Sequence, residues 1–115
     1  MTIRILHNPR CSKSRATLAL LQERGIEPEI TLYLDTPPDA SELKTILARL
    51  GVGPRELMRK GEKEYRELGL GDEALTEDQL IAAMVENPRL IERPIVLANG
   101  RAAIGRPPES VLSIL

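Results

Sequence analysis

A stretch free of proline and glycine from Ser12 to Arg24, flanked by two short apolar runs, constrains the fold of this chain more than any other feature. The first run, Thr2-Ile3-Arg4-Ile5-Leu6, begins as an alternation and ends in consecutive apolar residues, the pattern of a buried strand. His7-Asn8-Pro9-Arg10-Cys11 interrupts it, with Asn-Pro as a turn signal. Leu18 and Leu21 mark one face of the helix that follows, and Gly25 stands where glycine favours a helix end. Glu29 to Leu34 then carries Ile30, Leu32 and Leu34 at period two, a second strand. Strand, helix and strand in this order predict a right-handed crossover between parallel strands.

Thr36-Pro37-Pro38 forces a break. Asp39 with Glu42 opens a helix whose apolar face is Leu43, Ile46, Leu47 and Leu50, ending at Gly51. Residues 52 to 74 read as short helical turns between glycines and a proline. Thr76 with Gln79 forms a second capping box, followed by Leu80, Ile81, Met84 and Val85 before Asn87-Pro88 stops the helix. Pro94 to Ala98, the pair Asn99-Gly100, and Arg101 to Ile104 predict a β-hairpin with a type I′ turn. Pro107-Pro108 opens a last short helix with Val111, Leu112 and Leu115 to bury. The order is β-α-β, a helical insertion, then β-β-α. It predicts an α/β fold: a thioredoxin-like small mixed sheet flanked by helices, one domain over residues 1–115.

Composition narrows the function. The chain has 115 residues, 42% hydrophobic but only 2% aromatic, so its core is expected to be built from Leu, Ile and Val. A formal charge of −1 and the lack of Phe and Trp remove the case for a nucleic-acid partner. No apolar run approaches the ~20 residues that span a bilayer, and the amino end lacks a signal-peptide pattern, so no membrane association is expected. With one cysteine and one histidine, neither an internal disulfide nor a typical metal site is available, and a cytoplasmic location is expected.

Cys11 follows a strand directly and stands at the mouth of a helix. The partial positive charge and free N–H groups of a helix amino end stabilise a thiolate there, and the thiolate is the nucleophile. Arg10, Lys13 and Arg15 flank it, with His7 four residues earlier. Against an inert buried cysteine, these polar and cationic neighbours favour a reactive thiol. Cys11-Ser12-Lys13-Ser14 has the spacing of a C-x-x-C redox pair whose second cysteine is Ser14, so an outside thiol must finish any redox cycle. Ser14 is also placed to satisfy a free backbone N–H with its hydroxyl. A Cys-x5-Arg phosphatase loop is excluded, because the residue six after Cys11 is Thr17. Arg93-Pro94 precedes a strand, where the proline is either an edge-strand residue or a cis-proline facing the thiol.

Several further motifs recur in register: His7-Asn8-Pro9-x-Cys11, Ser14-Arg15, Leu32-Tyr33-Leu34 before Pro37-Pro38, and Leu57-x-Arg59-Lys60. Leu68-Gly69-Leu70, Arg93-Pro94-Ile95-Val96 and Arg106-Pro107 complete the set. On these residues the chain resembles the glutaredoxin-coupled, glutathione-dependent arsenate reductase family over nearly its whole length. The resemblance implies a nucleophilic thiolate at Cys11, with His7 helping to hold it deprotonated. It also implies that Arg59, Arg93 and Arg106 converge to bind arsenate or a similar oxyanion, which suits planar guanidiniums with paired donors. Ser14, Arg15 and Pro94 are expected to support the site. Glutathione as co-substrate and glutaredoxin as partner follow from the same resemblance, with no metal and no tightly bound cofactor. Two alternatives remain open at this stage: a redox-linked transcriptional regulator that binds RNA polymerase, and a monothiol protein of the same fold acting on another substrate. Ser14 in place of a second cysteine argues against the regulator's C-x-x-C sensor mechanism.

Overall fold

In the computed structural model, which describes residues 2–115, the amino-terminal strand–helix–strand is present as β1 (Arg4–His7), α1 (Ser12–Glu23) and β2 (Glu29–Leu32). β1 and β2 are parallel, with Ile5 opposite Ile30. The hairpin follows as β3 (Ile95–Ala98) and β4 (Arg101–Ile104), joined by Asn99 and Gly100 at φ 56° and 73°, the two positive values a type I′ turn requires. β3 runs antiparallel to both β1 and β4, giving a four-stranded mixed sheet in the order β2-β1-β3-β4. This is the thioredoxin-like arrangement expected from the sequence.

These strands belong to one of two compact units, made of the chain up to Thr36 together with Arg93–Leu115; the other is Pro37–Glu92. In the first unit, α1 packs on β1 and on a carboxy-terminal helix that in turn packs on β3 and β4. Ile5, Leu21, Val96, Ala98, Val111 and Ile114 form its buried aliphatic cluster, with Leu18 partly buried beside them. Burying one of the Ile, Leu or Val side chains among them contributes about 1.5–3 kcal/mol. The carboxy-terminal helix, Pro108–Ile114, is 3₁₀ in form, and Asn99 Nδ2 donates to Ile114 O at 2.7 Å to tie its end to the hairpin turn. No helix among the described residues is long and apolar enough to cross a membrane.

One sequence expectation in this unit is extended and another is corrected. The core face of α1 marked by Leu18 and Leu21 also takes in Ser14 and Thr17, both buried, while Leu18 is partly buried. The second strand stops at Leu32, whose carbonyl accepts from the N–H groups of Asp35 and Thr36, and its period-two residues face solvent. Ile30, Leu32 and Leu34 are 46%, 41% and 39% exposed, while Tyr33 is 1% exposed. The reason is topological. An alternation marks one face of a strand, but it cannot say that the strand will lie at the sheet edge, beyond the elements packed on β1, β3 and β4.

The second unit is helical: α2 (Ala40–Leu50), α3 (Pro54–Leu57), α4 (Lys63–Glu67) and α5 (Glu77–Glu86). Asp39 caps α2 by accepting from Glu42 N–H at 2.8 Å, and Gly51 ends it at φ 71°. Thr76 and Gln79 close their capping box in both directions, at 3.2 and 2.8 Å. Arg55 fastens the loop after α4 by donating to the carbonyls of Leu70 and Asp72 at 2.6 and 2.9 Å.

Candidate active site

β1 delivers the chain into a tight turn, Asn8 to Cys11, closed by Cys11 N–H donating to Asn8 O at 3.0 Å. Cys11 is thereby the residue at the amino end of α1, in extended backbone at φ −94° and ψ 124°. It makes no strict side-chain capping bond, yet the N–H groups of Ser14 and Lys13 lie near enough to favour a thiolate. Partial burial pushes the thiol up. The Ser14 N–H, the Arg93 guanidinium, the Lys13 N–H and the Arg106 guanidinium together outweigh that, and the thiol is held below its ordinary value. The sulfur is free and partly exposed, as a nucleophile must be.

The two arginines reach Cys11 from distant parts of the chain. Arg106 Nη2 donates to Cys11 Sγ at 3.5 Å, and its Nε donates to Arg93 O at 2.7 Å, tying the two arginine-bearing segments together. Both Arg93–Pro94 and Arg106–Pro107 are cis peptides. Two guanidiniums beside one thiolate form a pocket of positive charge able to take a tetrahedral oxyanion at the sulfur.

His7 is 6% exposed and contacts Ser14: Nδ1 lies 2.7 Å from Ser14 Oγ. The same hydroxyl accepts from Asn8 N–H at 2.9 Å, so its own proton is available to Nδ1 when the ring is neutral. Burial, and then the Arg15 charge, push the His7 ring below its ordinary value, which keeps it neutral near pH 7. The link from His7 to Cys11 therefore runs through Ser14, whose hydroxyl meets the ring while its N–H faces the sulfur. Ser14 satisfies a donor of the turn, Asn8 N–H, rather than one inside the helix. Arg15 Nη1 donates to Pro9 O at 2.9 Å and braces the same turn.

Arg59 belongs to the second unit. There its Nη2 pairs with Glu62 at 2.7 Å, Nη1 donates to Arg89 O at 3.4 Å, and Arg89 shares Glu62 at 3.5 Å. The first unit thus brings together Cys11, His7, Ser14, Arg15, Arg93, Pro94 and Arg106, all singled out from the sequence.

Gly105 is a residue that the sequence reading passed over. Its N–H donates to Pro94 O at 3.0 Å, and a Cβ there would overlap Thr17 Oγ1 and lie 2.8 Å from Pro94 Cγ. Only glycine allows the end of β4 to approach α1 this closely, one residue before Arg106. An isolated glycine directly after a strand was the available signal.

The geometry agrees with comparisons to known proteins. Over 114 residues the chain is 60% identical to the uncharacterized Escherichia coli K12 protein YfgD, covering 98% of this chain and 96% of that one. It is 56% identical to a Neisseria meningitidis serogroup A protein named arsenate reductase, covering 98% and 97%. A solved structure of an arsenate reductase from Vibrio cholerae matches with a TM-score of 0.98 at 55% identity, covering 100% of this chain and 98% of that one. The model of the ArsC family matches residues 6–114, and on this match and these relatives the chain belongs to the ArsC family.

Proposed function

We propose that this protein reduces arsenate to arsenite through a Cys11 thiolate, with glutathione and glutaredoxin supplying the electrons. The observation that carries this reading is the Arg106 guanidinium 3.5 Å from Cys11 Sγ, with Arg93 tied to Arg106 through its carbonyl. A nucleophile and a binding site for a small oxyanion coincide there. The names of the relatives support arsenate as that oxyanion. Arg59 is assigned to the oxyanion site by family resemblance alone.

In the first step the thiolate sulfur of Cys11 bonds to arsenic(V), and an arsenic-bound hydroxyl takes a proton from solvent and leaves as water. Arg93 and Arg106 hold the remaining oxygens and oppose the charge that builds there. Glutathione then bonds to the same arsenic; its thiol proton and an arsenic-bound hydroxyl leave as a second water. A glutaredoxin thiolate attacks the glutathione sulfur. The S–As electron pair passes to arsenic, reducing it to arsenic(III), and a glutaredoxin–glutathione mixed disulfide departs. Water finally cleaves the Cys11–As(III) bond, releasing arsenite and returning the proton to the thiol. Neutral His7, acting through Ser14, keeps the turn and the Ser14 N–H in place throughout.

NADPH oxidation through glutathione reductase tests this scheme. It should require arsenate, glutathione, glutaredoxin and the protein together, and Cys11→Ser should abolish it. Full turnover without glutathione or glutaredoxin would remove the proposed donor, and equal rates for Cys11→Ser would remove the nucleophile.

A further inference from the structure

A groove of about 340 Å³ lies beside the Cys11 turn, lined by the end of β1 and the turn after it (His7 to Arg10) and by Leu32, Leu34 and Asp35. We propose that this groove binds the small peptide thiol consumed in the reaction, a zwitterion of the glutathione class; the proposal rests on the reductase reading above. The volume falls in the range of small-ligand sites, ~300–1,000 Å³. It is also the place where the exposed leucines of β2 and the turn after it find a use.

The chemistry of the walls selects the occupant. Leu32 and Leu34 are 41% and 39% exposed and, with Pro9, offer an apolar surface for the aliphatic body of a peptide. Arg10 and Asp35 both line the groove, both are exposed, and neither has an ion-pair partner among the described residues. Opposite free charges lining one groove match a ligand carrying both an ammonium and a carboxylate. An inorganic oxyanion has no use for leucines and is repelled by Asp35. The groove is therefore suited to a different molecule from the one held at Arg93 and Arg106. Its lining includes Asn8, Pro9 and Arg10, which belong to the same turn as Cys11, so the groove and the sulfur are borne by one turn. On attack the sulfur of the peptide thiol bonds to arsenic(V) on Cys11, and its proton leaves with an arsenic hydroxyl as water.

S-methylglutathione, which carries the charges but cannot react, separates this proposal from the arsenate assignment. In an NMR titration of the isotope-labelled protein, saturable shifts should appear in residues 7–10 and 32–35. Asp35→Lys should weaken binding about fivefold, the scale of one exposed ion pair, and Leu32→Glu by a similar factor of about five through lost apolar contact. Circular dichroism should be unchanged, since both side chains are exposed; Asp35→Ala serves as the milder second variant. Shifts centred on Arg93–Pro94 instead, unchanged affinity in the variants, or no saturable binding would overturn the groove assignment. A loss of glutaredoxin use with unchanged S-methylglutathione binding would also overturn it, because the surface would then serve a protein. Binding at the groove in a protein that does not reduce arsenate would refute the substrate and leave the groove standing.

Discussion

Replacing Arg106 with alanine removes a guanidinium whose Nη2 lies 3.5 Å from Cys11 Sγ. Arg106 is exposed, so water sets the appropriate dielectric, and a unit charge pair at that distance interacts by about 1.2 kcal/mol. Only the charged form of the sulfur loses this attraction, so the thiol midpoint should rise. The direction follows from the sign of the lost charge: a nearby cation favours the thiolate, and its removal favours the neutral thiol. Well below the midpoint the thiolate fraction falls about eightfold. The remaining thiolate is more nucleophilic, with a Brønsted slope of ~0.45 that recovers about 2.5-fold. The observed alkylation rate at low pH should therefore fall about threefold, while the high-pH plateau rises by about 2.5-fold. Iodoacetamide alkylation of Cys11, followed across pH for wild type, Arg106→Ala and Arg106→Lys, reads both numbers. Arg106→Lys retains a cation and should lie close to wild type. A midpoint in Arg106→Ala equal to or below that of wild type would refute the electrostatic reasoning.

Other substitutions probe the frame around the thiol. Gly105→Ala drives a methyl into Thr17 and Pro94, so it should destabilise the protein by about 1–3 kcal/mol, read as a lowered thermal midpoint; unchanged stability would mean the α1–β4 junction has slack. His7 is held below its unfolded value of ~6.5, so the unfolded chain binds its proton first as the pH falls. Stability should consequently decline from about pH 6.5 downward through the folded value, and more shallowly in His7→Gln; identical pH profiles for the two proteins would contradict the assignment. Arg93→Ala should impair arsenate turnover at least about tenfold, the scale of one lost charge-assisted contact. Arg101→Ala, in the hairpin, should not, and equal losses in both would dissolve the anion site.

Local rules were legible in the sequence where a few neighbouring residues decide the structure. The Asp39 cap, the reciprocal Thr76–Gln79 box and the Asn99-Gly100 turn appear as their chemistry requires. Cys11 at the amino end of α1 follows from the same kind of reasoning, because a strand ending at His7 leaves only a short turn before a proline-free helix. Sheet order was harder to read. Ile30, Leu32 and Leu34 have the alternation of a half-buried strand, and only the placement of β2 at the edge leaves them exposed. The meeting of Arg106 with Cys11 joins residues at opposite ends of the chain, and no local pattern reports it; family resemblance supplied that expectation. The need for glycine at 105 is not legible locally, because the constraint on it comes from Thr17 and Pro94, which are remote in sequence.

Arsenic speciation tests the account at its centre. After arsenate is incubated with glutathione, glutaredoxin and protein, the wild type should release arsenite in amounts exceeding its own concentration, and Cys11→Ser should leave arsenate untouched. Arsenite formed equally by both proteins, or by neither, would contradict the claim that this sulfur reduces the bound oxyanion.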